Sequence, residues 1–342
     1  MILRSKAIVA LAGVAILVAA CGSSTPAASG GASGGAGEVK GALVQRGDIN
    51  IEVVTHGQAV DGFWGVVRNG FKQAAADYGI KYNYSAPDAE SDYVKMSQLI
   101  DAAVAKKPSG IIVSIPNAEA LGPSIEKAVA AGIPVISINS GSDVFKDLGV
   151  ILHVGQTEYE AGLGAGTMFK EAGVKNPICF NQEVANQALT DRCNGFFEGQ
   201  DIDPASGKVL TGQISDPAGI TATIKAALQA DPTIDGILTL GPSAATPMLA
   251  AVDEAGMMGK LTLGTFDLST DVLNAIKDGK MDFAVDQQQY IQGYDALAFM
   301  VQYIQTKNLP TGNGMGLMMT GPGFVTKDNA EAVISLAAAG LR

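Results

Sequence analysis

The chain has 342 residues, with 34 acidic and 23 basic side chains, and its formal net charge is −11 at pH 7. Since the sequence also contains no cluster of basic residues, nucleic acid is disfavoured as a partner. The three cysteines and two histidines form no CxxC or Cys/His spacing, which excludes a zinc cluster and leaves no metal site to predict.

The first 20 residues have the order of a secretion signal. Arg4 and Lys6 supply positive charge, residues 7–18 form an uncharged apolar run, and small residues lead to Cys21. The run is shorter than the roughly 20 residues that a membrane-spanning helix needs. The ending LVAAC resembles the lipobox of bacterial lipoproteins. We therefore predict a signal peptide over 1–20, a lipid anchor on Cys21 and an extracytoplasmic location at the cell membrane. The alternative is an ordinary signal peptide that happens to precede a cysteine.

A linker and a large body follow the leader. Residues 22–38 are almost entirely Gly, Ser, Ala, Thr and Pro, a composition that cannot bury enough apolar surface to order itself. We predict the anchor and a flexible linker over residues 21–47. The remaining chain, about 300 residues, suits two domains better than one core.

Short apolar runs alternate with longer amphipathic stretches in the first half of the body. The run 111–115 is almost fully apolar, as in a parallel sheet that is covered on both faces. Gly132 and Pro134 mark the end of a helix. The periodicity predicts strands at 49–54, 80–84, 111–115 and 134–138, and helices at 65–78, 93–105 and 121–131.

The same pattern restarts after Gly149. Strand starts fall about 25–30 residues apart, which is the length of a βα unit. The predicted strands are 151–155, 177–181, 208–213, 235–240, 261–266 and 282–286, with helices between them. Alternating βα units form parallel sheets with helices on both faces, so two doubly wound α/β lobes are predicted. Ligands of such sheets bind beyond the carboxyl ends of the strands.

Cys179 and Cys193 form an even pair in a chain predicted to be exported. Such pairs are often bridged, and closing a loop of about 15 residues stabilises by roughly 3 kcal/mol in the chain-entropy model. The alternative is two buried thiols.

The first predicted strand ends in a loop that carries aromatic and polar side chains. His56 and Asp61 precede the adjacent Phe63 and Trp64. An aromatic face can stack on the C–H face of a sugar, and planar polar groups can pair with its hydroxyls. The alternative for the two aromatic residues is that they pack the core at a helix start.

Other predicted strands also end in polar residues. Asp, Asn, Gln and Arg together can donate to and accept from neighbouring hydroxyls, often in bidentate pairs. Singly, Asp267 could cap a helix and Asn139 could begin a turn. Their joint occurrence favours a carbohydrate site. The set consists of Asn117, Asn139, Ser140, Arg192, Asp267 and the segment 286–289.

No catalytic or nucleotide motif accompanies these residues. The chain contains no GxSxG elbow, GxGxxG loop or GxxxxGK[ST] loop, so we predict neither enzymatic activity nor a cofactor. Gly162, Gly164 and Gly166 lie in a helical stretch, where close helix packing explains them better than phosphate binding.

The chain resembles the type I periplasmic binding proteins of the ribose/galactose class, which are the substrate-binding components of sugar ABC importers. The resemblance covers roughly residues 48–340. It rests on the segments DGFW 61–64, VISIN 135–139, RCNGF 192–196, GTFD 264–267 and DQQQYIQGY 286–294.

The resemblance implies two lobes joined by three crossovers, with a sugar in the cleft between them and a permease with a cytoplasmic ATPase as partner. The implied N-terminal lobe comprises 48–152 plus 288–306. The implied C-terminal lobe comprises 153–287 plus 307–342.

The strand ends and the resemblance together give a candidate ligand set. Asn139 stands where many members have Asp, Ser140 where ribose-type members have Arg, and Gly241-Pro242-Ser243 replaces a usual Asn-Asp turn. Because Ser140 cannot make the bidentate hydrogen bonds to ligand hydroxyls that an Arg makes, we predict that the ligand is not ribose but another pentose, a hexose or a polyol. The set is His56, Asp61, Phe63, Trp64, Asn117, Asn139, Ser140, Arg192, Ser243, Asp267 and Gln287.

Three other functional classes are compatible with such a fold. A sensor subunit would present a carbohydrate-like signal to a membrane receptor. A sugar-responsive repressor is disfavoured because the leader occupies the place of a helix-turn-helix. A secreted α/β enzyme would turn over a bound carbohydrate.

Overall fold

The computed structural model describes residues 44–57, 62–89, 91–312 and 314–342. The predicted signal peptide, Cys21, most of the linker and Asp61 lie outside these residues. The linker prediction is wrong for residues 44–47, because this segment packs on the body. The carbonyl oxygen of Val44 accepts a hydrogen bond from Gln305 Nε2 at 3.0 Å, and the Arg46 guanidinium lies 5.3 Å from the centre of the Tyr78 ring.

Strands and helices alternate along most of the described chain. The strands are β1 Asn50–Val54, β2 Lys81–Ser85, β3 Gly110–Val113, β4 Val135–Ile138, β5 Leu152–Gly155, β6 Pro177–Asn181, β7 Lys208–Thr211, β8 Gly236–Thr239, β9 Thr262–Phe266, β10 Phe283–Asp286, β11 Gly316–Met319 and β12 Gly323–Thr326. The helices are α1 Gly62–Tyr78, α2 Tyr93–Ala105, α3 Ala118–Ala130, α4 Glu158–Glu171, α5 Gln187–Gly199, α6 Pro217–Ala230, α7 Pro242–Glu254, α8 Thr270–Lys277, α9 Gln289–Thr306 and α10 Ala330–Ala338. Two short 3₁₀ turns span Arg46–Asp48 and Pro204–Ser206.

The described strands form two six-stranded sheets with matching topology. The first has the order β11-β5-β4-β3-β1-β2 and is parallel throughout. The second has the order β12-β10-β9-β8-β6-β7 and is parallel except for β12, which runs antiparallel to β10. Helices cover both faces of each sheet, so the predicted fold of two doubly wound lobes is confirmed.

Apolar helix faces fill the layers on either side of each sheet. In the first lobe, α1 and α9 pack on one face and α2 and α3 on the other. In the second lobe, α4 and α5 cover one face, and α6, α7, α8 and α10 cover the other. The central strands are buried on both faces, for example Gly110–Val113, which explains their continuous apolar sequences.

Within the described residues the chain passes between the sheets three times, and the lobe boundaries differ from those predicted. The passages follow β5, β10 and β11. The predicted boundary at residue 152 is wrong, because all of β5 pairs in the first sheet. Assigning all of 307–342 to the second lobe is also wrong, because β11 pairs with β5. Both β11 and β12 went unpredicted, since these edge strands are only partly buried and carry little periodicity.

Hydrogen bonds connect the three passages directly. Thr320, in the third passage, donates from Oγ1 to the Gln287 carbonyl oxygen at 2.7 Å and from its backbone N–H to the Gly155 carbonyl oxygen at 2.7 Å. The Thr320 carbonyl oxygen accepts from Gln288 Nε2 at 2.7 Å. These bonds hold the passages together as one hinge region behind the interlobe space.

A disulfide joins Cys179 in β6 to Cys193 in α5, with Cα atoms 5.8 Å apart. The bridge prediction is confirmed, and the alternative of two buried thiols is wrong. The bond ties the helix that carries Arg192 to the sheet beneath it.

Candidate ligand-binding site

Residues of both lobes line a cavity of about 390 Å³ at the carboxyl ends of the two sheets. Its volume lies within the usual range for small-molecule sites. Eight predicted ligand residues line it: His56, Phe63, Trp64, Asn139, Arg192, Ser243, Asp267 and Gln287.

Arg192 is held in place by contacts within the protein. Its Nε donates to Glu158 Oε2 at 2.6 Å, and its Nη1 donates to the Leu240 carbonyl oxygen at 3.2 Å. The guanidinium carbon lies 4.5 Å from the centre of the Phe266 ring. Because the side chain is only 4% exposed, a ligand would meet a guanidinium whose orientation is already fixed.

Glu158, the buried partner of Arg192, was not predicted. It occupies the first turn of α4, directly after the first passage between the lobes, and its Oε2 also accepts from Gln156 Nε2 at 3.0 Å. In the sequence, an acidic residue at a helix start is sufficiently explained by the helix dipole. Only the tertiary structure pairs it with Arg192, 34 positions later.

A chain of amide and carboxylate groups crosses the floor of the cavity. Asn139 Nδ2 donates to Gln287 Oε1 at 3.1 Å, and Gln287 Nε2 donates to Asp267 Oδ1 at 2.6 Å. Asn139 belongs to the first lobe and Asp267 to the second, so this chain connects the lobes beside the hinge.

Asn139 and Asp267 occupy equivalent places in the two lobes. They follow β4 and β9, each third from the corresponding edge of its sheet, and their φ angles are 62° and 65°. Asn and Asp adopt this left-handed backbone region more readily than most residues. Both side chains line the cavity in this conformation, which explains why short polar residues stand at these strand ends.

Burial raises the pKa of Asp267 to about 7, although the charge of Arg192 and the hydrogen bond from Gln287 act in the opposite direction. The carboxyl group therefore changes charge near neutral pH. A ligand hydroxyl that donates to this group would favour its ionised form.

Asp267 should make the free protein less stable as the pH rises. Its folded pKa of about 7 exceeds the reference value of 3.8, so its contribution is fully present below pH 3.8, declines up to about pH 7 and is lost above. At about 1.4 kcal/mol per pKa unit, the difference is on the order of 4 kcal/mol. Denaturant unfolding from pH 4 to 8 should show a flatter profile for Asp267→Asn. Asp271→Asn, at an exposed position, is the matched control, and equal slopes for wild type and Asp267→Asn would contradict the prediction.

Trp64 both packs the first lobe and lines the cavity. It is 3% exposed and belongs to the core formed with α9, and its ring stands edge-on to Phe63 with centroids 5.2 Å apart. A Cβ at Gly57 would lie 1.7 Å from Trp64 Cδ1. The packing explanation of Trp64 is therefore correct, and contact with a ligand remains a prediction.

His56 is a neutral imidazole at the end of β1. Its Nδ1 lies 2.8 Å from Ser114 Oγ, and its ring is edge-on to Trp64 with centroids 4.9 Å apart. Burial, and secondarily the charge of Arg192, lower its pKa to about 3.

Two predicted ligand residues do not line this cavity. Asn117 instead caps α3, where its side chain accepts from the Ala120 N–H at 2.9 Å, and it lines a separate cavity. Ser140 is buried and donates from Oγ to Asn139 Oδ1 at 2.9 Å, so it orients Asn139. The structure places both side chains away from this cavity, because a strand-end position does not fix where a side chain points.

Several lining residues were missed by the sequence reasoning. Gln182, Glu183 and Asn186 follow β6. Their place after a strand is the same signal that identified Asn139, but only Arg192 was predicted as a ligand residue after this strand. Gln182 Oε1 is buried and has no hydrogen-bond partner among the described residues.

Within the described ranges, no group of three or more His, Cys, Asp or Glu side chains could hold a metal ion. None of the helices described combines the length and apolar character needed to cross a membrane.

Residues 51–308 match the model of the periplasmic binding protein domain. The chain belongs to this family. A solved structure of the same fold, that of a carbohydrate transporter from Acidothermus cellulolyticus 11B in complex with myo-inositol, is 36% identical, with a TM-score of 0.78. The match covers 86% of this chain and 99% of that chain.

Curated relatives of this periplasmic binding protein are sugar import proteins. The D-apiose import binding protein of Actinobacillus succinogenes is 27% identical, over 71% of this chain and 78% of the relative. The fructose import binding protein FruE of Bifidobacterium longum is 25% identical, over 90% of each chain. These relatives confirm the predicted class, a sugar-binding protein of an ABC transporter, and the family consists of transport proteins and not enzymes.

Proposed function

We propose that the interlobe cavity binds one compact, uncharged, polyhydroxylated ring, either a cyclic polyol or a monosaccharide. The observation that carries this proposal is the fixed guanidinium of Arg192 beside Asp267, Gln287 and Asn139, with Phe63 and Trp64 lining the same cavity. Hydroxyl groups both donate and accept, so they suit a wall that mixes cation, carboxylate and amide. The aromatic faces suit the C–H surface of the ring.

The charge of the site supports an uncharged ligand. Arg192 contacts Glu158 at 2.6 Å, and its Nη1 lies 4.0 Å from Asp267 Oδ2. Because Glu158 already pairs with this cation, and the ionised form of Asp267 adds a second negative charge beside it, an anionic ligand would meet excess negative charge.

Among such rings, a cyclic polyol is favoured over ribose. The relative from Acidothermus cellulolyticus was solved with myo-inositol. In this chain Ser140 stands where ribose-type members have Arg. Its hydroxyl donates to Asn139, so the chain lacks the bidentate hydrogen bonds that this Arg would make to a ligand.

Ligand binding would be coupled to hinge motion. A ligand that contacts both lobes binds the closed state better and shifts the population toward it. The hinge would be the three linked passages, and a membrane permease with its cytoplasmic ATPase would recognise the closed shape.

Calorimetry on residues 39–342 tests the ligand class. The panel is myo-inositol, D-ribose, D-arabinose, D-fructose and D-glucose. We expect saturable one-to-one binding of myo-inositol, with D-ribose weaker. Binding of a monosaccharide in preference to myo-inositol would overturn the polyol assignment. The absence of binding by any polyhydroxylated ring would overturn the proposed function.

We also propose that residues 1–20 are removed and that lipidated Cys21 and the following linker tether the body to the extracytoplasmic face of the membrane. A single acyl chain gives only marginal binding, so a second acylation is part of the proposal. In cell fractionation, the wild type should follow the membrane and Cys21→Ser should not be retained there. Equal distribution of the two proteins would contradict the anchor.

A further inference from the structure

His56 and Glu183 face each other across the interlobe cavity. His56 follows β1 in the first lobe, Glu183 follows β6 in the second, and both line the cavity. His56 Nε2 lies 3.9 Å from Glu183 Oε2, which is too far for a direct hydrogen bond. The two side chains are only 9% and 16% exposed, so the gap between them is sheltered.

Ser114 Oγ contacts both the backbone and the ring of His56. It accepts the backbone N–H of His56 at 3.0 Å and lies 2.8 Å from Nδ1. With the Ser114 hydroxyl hydrogen donated to Nδ1, the imidazole proton is on Nε2. The resulting N–H points toward the Glu183 side of the cavity.

The imidazole stays neutral because burial holds its pKa at about 3. The pair is therefore not a salt bridge at neutral pH, but a hydrogen-bond donor from one lobe opposite an acceptor from the other. Glu183 Oε2 has one partner within its own loop, Asn186 Nδ2 at 3.0 Å.

A single oxygen can lie within hydrogen-bond distance of both atoms, since points about 2.8 Å from each exist when the two are less than about 5.6 Å apart. A hydroxyl placed there would accept from His56 Nε2 and donate to the Glu183 carboxylate. A hydroxyl suits this gap because it carries one hydrogen and free lone pairs.

From this geometry we infer that His56 and Glu183 together read one hydroxyl of the ligand, so that this hydroxyl bridges the two lobes. The inference rests on the proposed function and adds Glu183 to the residues that determine specificity. The bridging hydroxyl couples recognition to closure, because its two partners belong to different lobes.

A structural role for Glu183 gives a different expectation. Glu183 accepts from Asn186, the residue that caps α5, so it could simply order the loop after β6. Glu183→Gln separates the two roles, because glutamine keeps the size of the side chain and an oxygen for Asn186 but replaces the second carboxyl oxygen by an NH₂ group, which cannot accept a hydrogen bond.

A double-mutant cycle with myo-inositol as the probe tests the inference. The variants are Glu183→Gln, His56→Phe and their combination, with Kd from calorimetry and the melting temperature of each free protein. Glu171→Gln, at an exposed position on α4, is the matched control for loss of one negative charge. Trp64 is the single tryptophan of the chain and lies beside His56, so its fluorescence gives a second measure of binding.

We expect each single variant to weaken binding about tenfold, as for loss of a hydrogen bond that involves a charged or buried group. The double variant should lose much less than the product of the two effects, because both changes remove contacts to the same hydroxyl. Glu183→Gln should keep the melting temperature of the free protein, and Glu171→Gln should bind as the wild type does.

Two results would overturn the inference alone. One is unchanged affinity in Glu183→Gln, with or without a lower melting temperature. The other is a double variant whose loss equals the product, which assigns the two residues to separate groups. If the wild type binds another sugar of the panel, the same cycle applies to that sugar. If it binds none, the proposed function and this inference fail together.

Discussion

Arg192→Ala should weaken binding of the true ligand by roughly 3 kcal/mol or more, which is at least about a hundredfold in Kd. The guanidinium is held in place by Glu158 and Leu240. Its other N–H groups can therefore bind a ligand with little further loss of side-chain entropy. The substitution also leaves the Glu158 carboxylate buried without its cationic partner. Calorimetry with the sugar panel measures the effect, and unchanged affinity would remove Arg192 from the site.

Loss of stability must be separated from loss of binding in this experiment. Breaking a buried ion pair by removing one partner typically costs about 3–5 kcal/mol, whereas replacing both partners by apolar residues is often neutral. Arg192→Met combined with Glu158→Leu is therefore the matched control. We expect this double variant to recover much of the unfolding free energy while its affinity stays low. Recovery of affinity together with stability would show that Arg192 acts only through folding.

Gly195→Ala should lower the unfolding free energy by about 3 kcal/mol, the upper part of the usual range for overpacking. Helices α4 and α5 cross so closely that a Cβ at residue 195 would lie 2.0 Å from the Tyr159 carbonyl oxygen. This carbonyl oxygen belongs to the backbone and cannot rotate away as a side chain could, so the two helices must move apart. Denaturant unfolding measures the effect.

Gly65→Ala in α1 is the matched control for the helix substitution. No atom lies within 4 Å of a Cβ built at this glycine, and alanine is favoured over glycine in a helix by roughly 1 kcal/mol. We therefore expect Gly65→Ala to be neutral or stabilising. Equal stability of Gly195→Ala and wild type would show that α4 and α5 can move apart without cost.

The prediction that the glycines of α4 serve close helix packing is correct for two of the three glycines. Gly162 and Gly166 do approach α5, where added Cβ atoms would lie 2.2 Å from the carbonyl oxygens of Arg192 and Phe196. Gly164, in contrast, faces the Phe324 ring. The opposing glycines of α5 had no sequence signal, because a helix pair is defined only once both helices are placed.

Local patterns in the sequence predicted ten of the twelve described strands, their alternation with helices and most of the strand-end residues that line the cavity. They could do so because these features follow from local periodicity, which repeats every two or 3.6 residues. The pairing of two cysteines was likewise predictable, because one pair admits a single bridge. Edge strands β11 and β12 escaped prediction because weak burial leaves weak periodicity.

Which strand-end side chains share the cavity became clear from the folded structure alone. Asn117 and Asn139 have the same kind of position in the sequence, yet one caps a helix and the other joins Gln287 in the cavity. The pairing of Arg192 with Glu158 and the approach of His56 to Glu183 likewise join residues 34 and 127 positions apart. Such contacts depend on side-chain direction and on how two lobes meet, and the local pattern of a sequence contains neither.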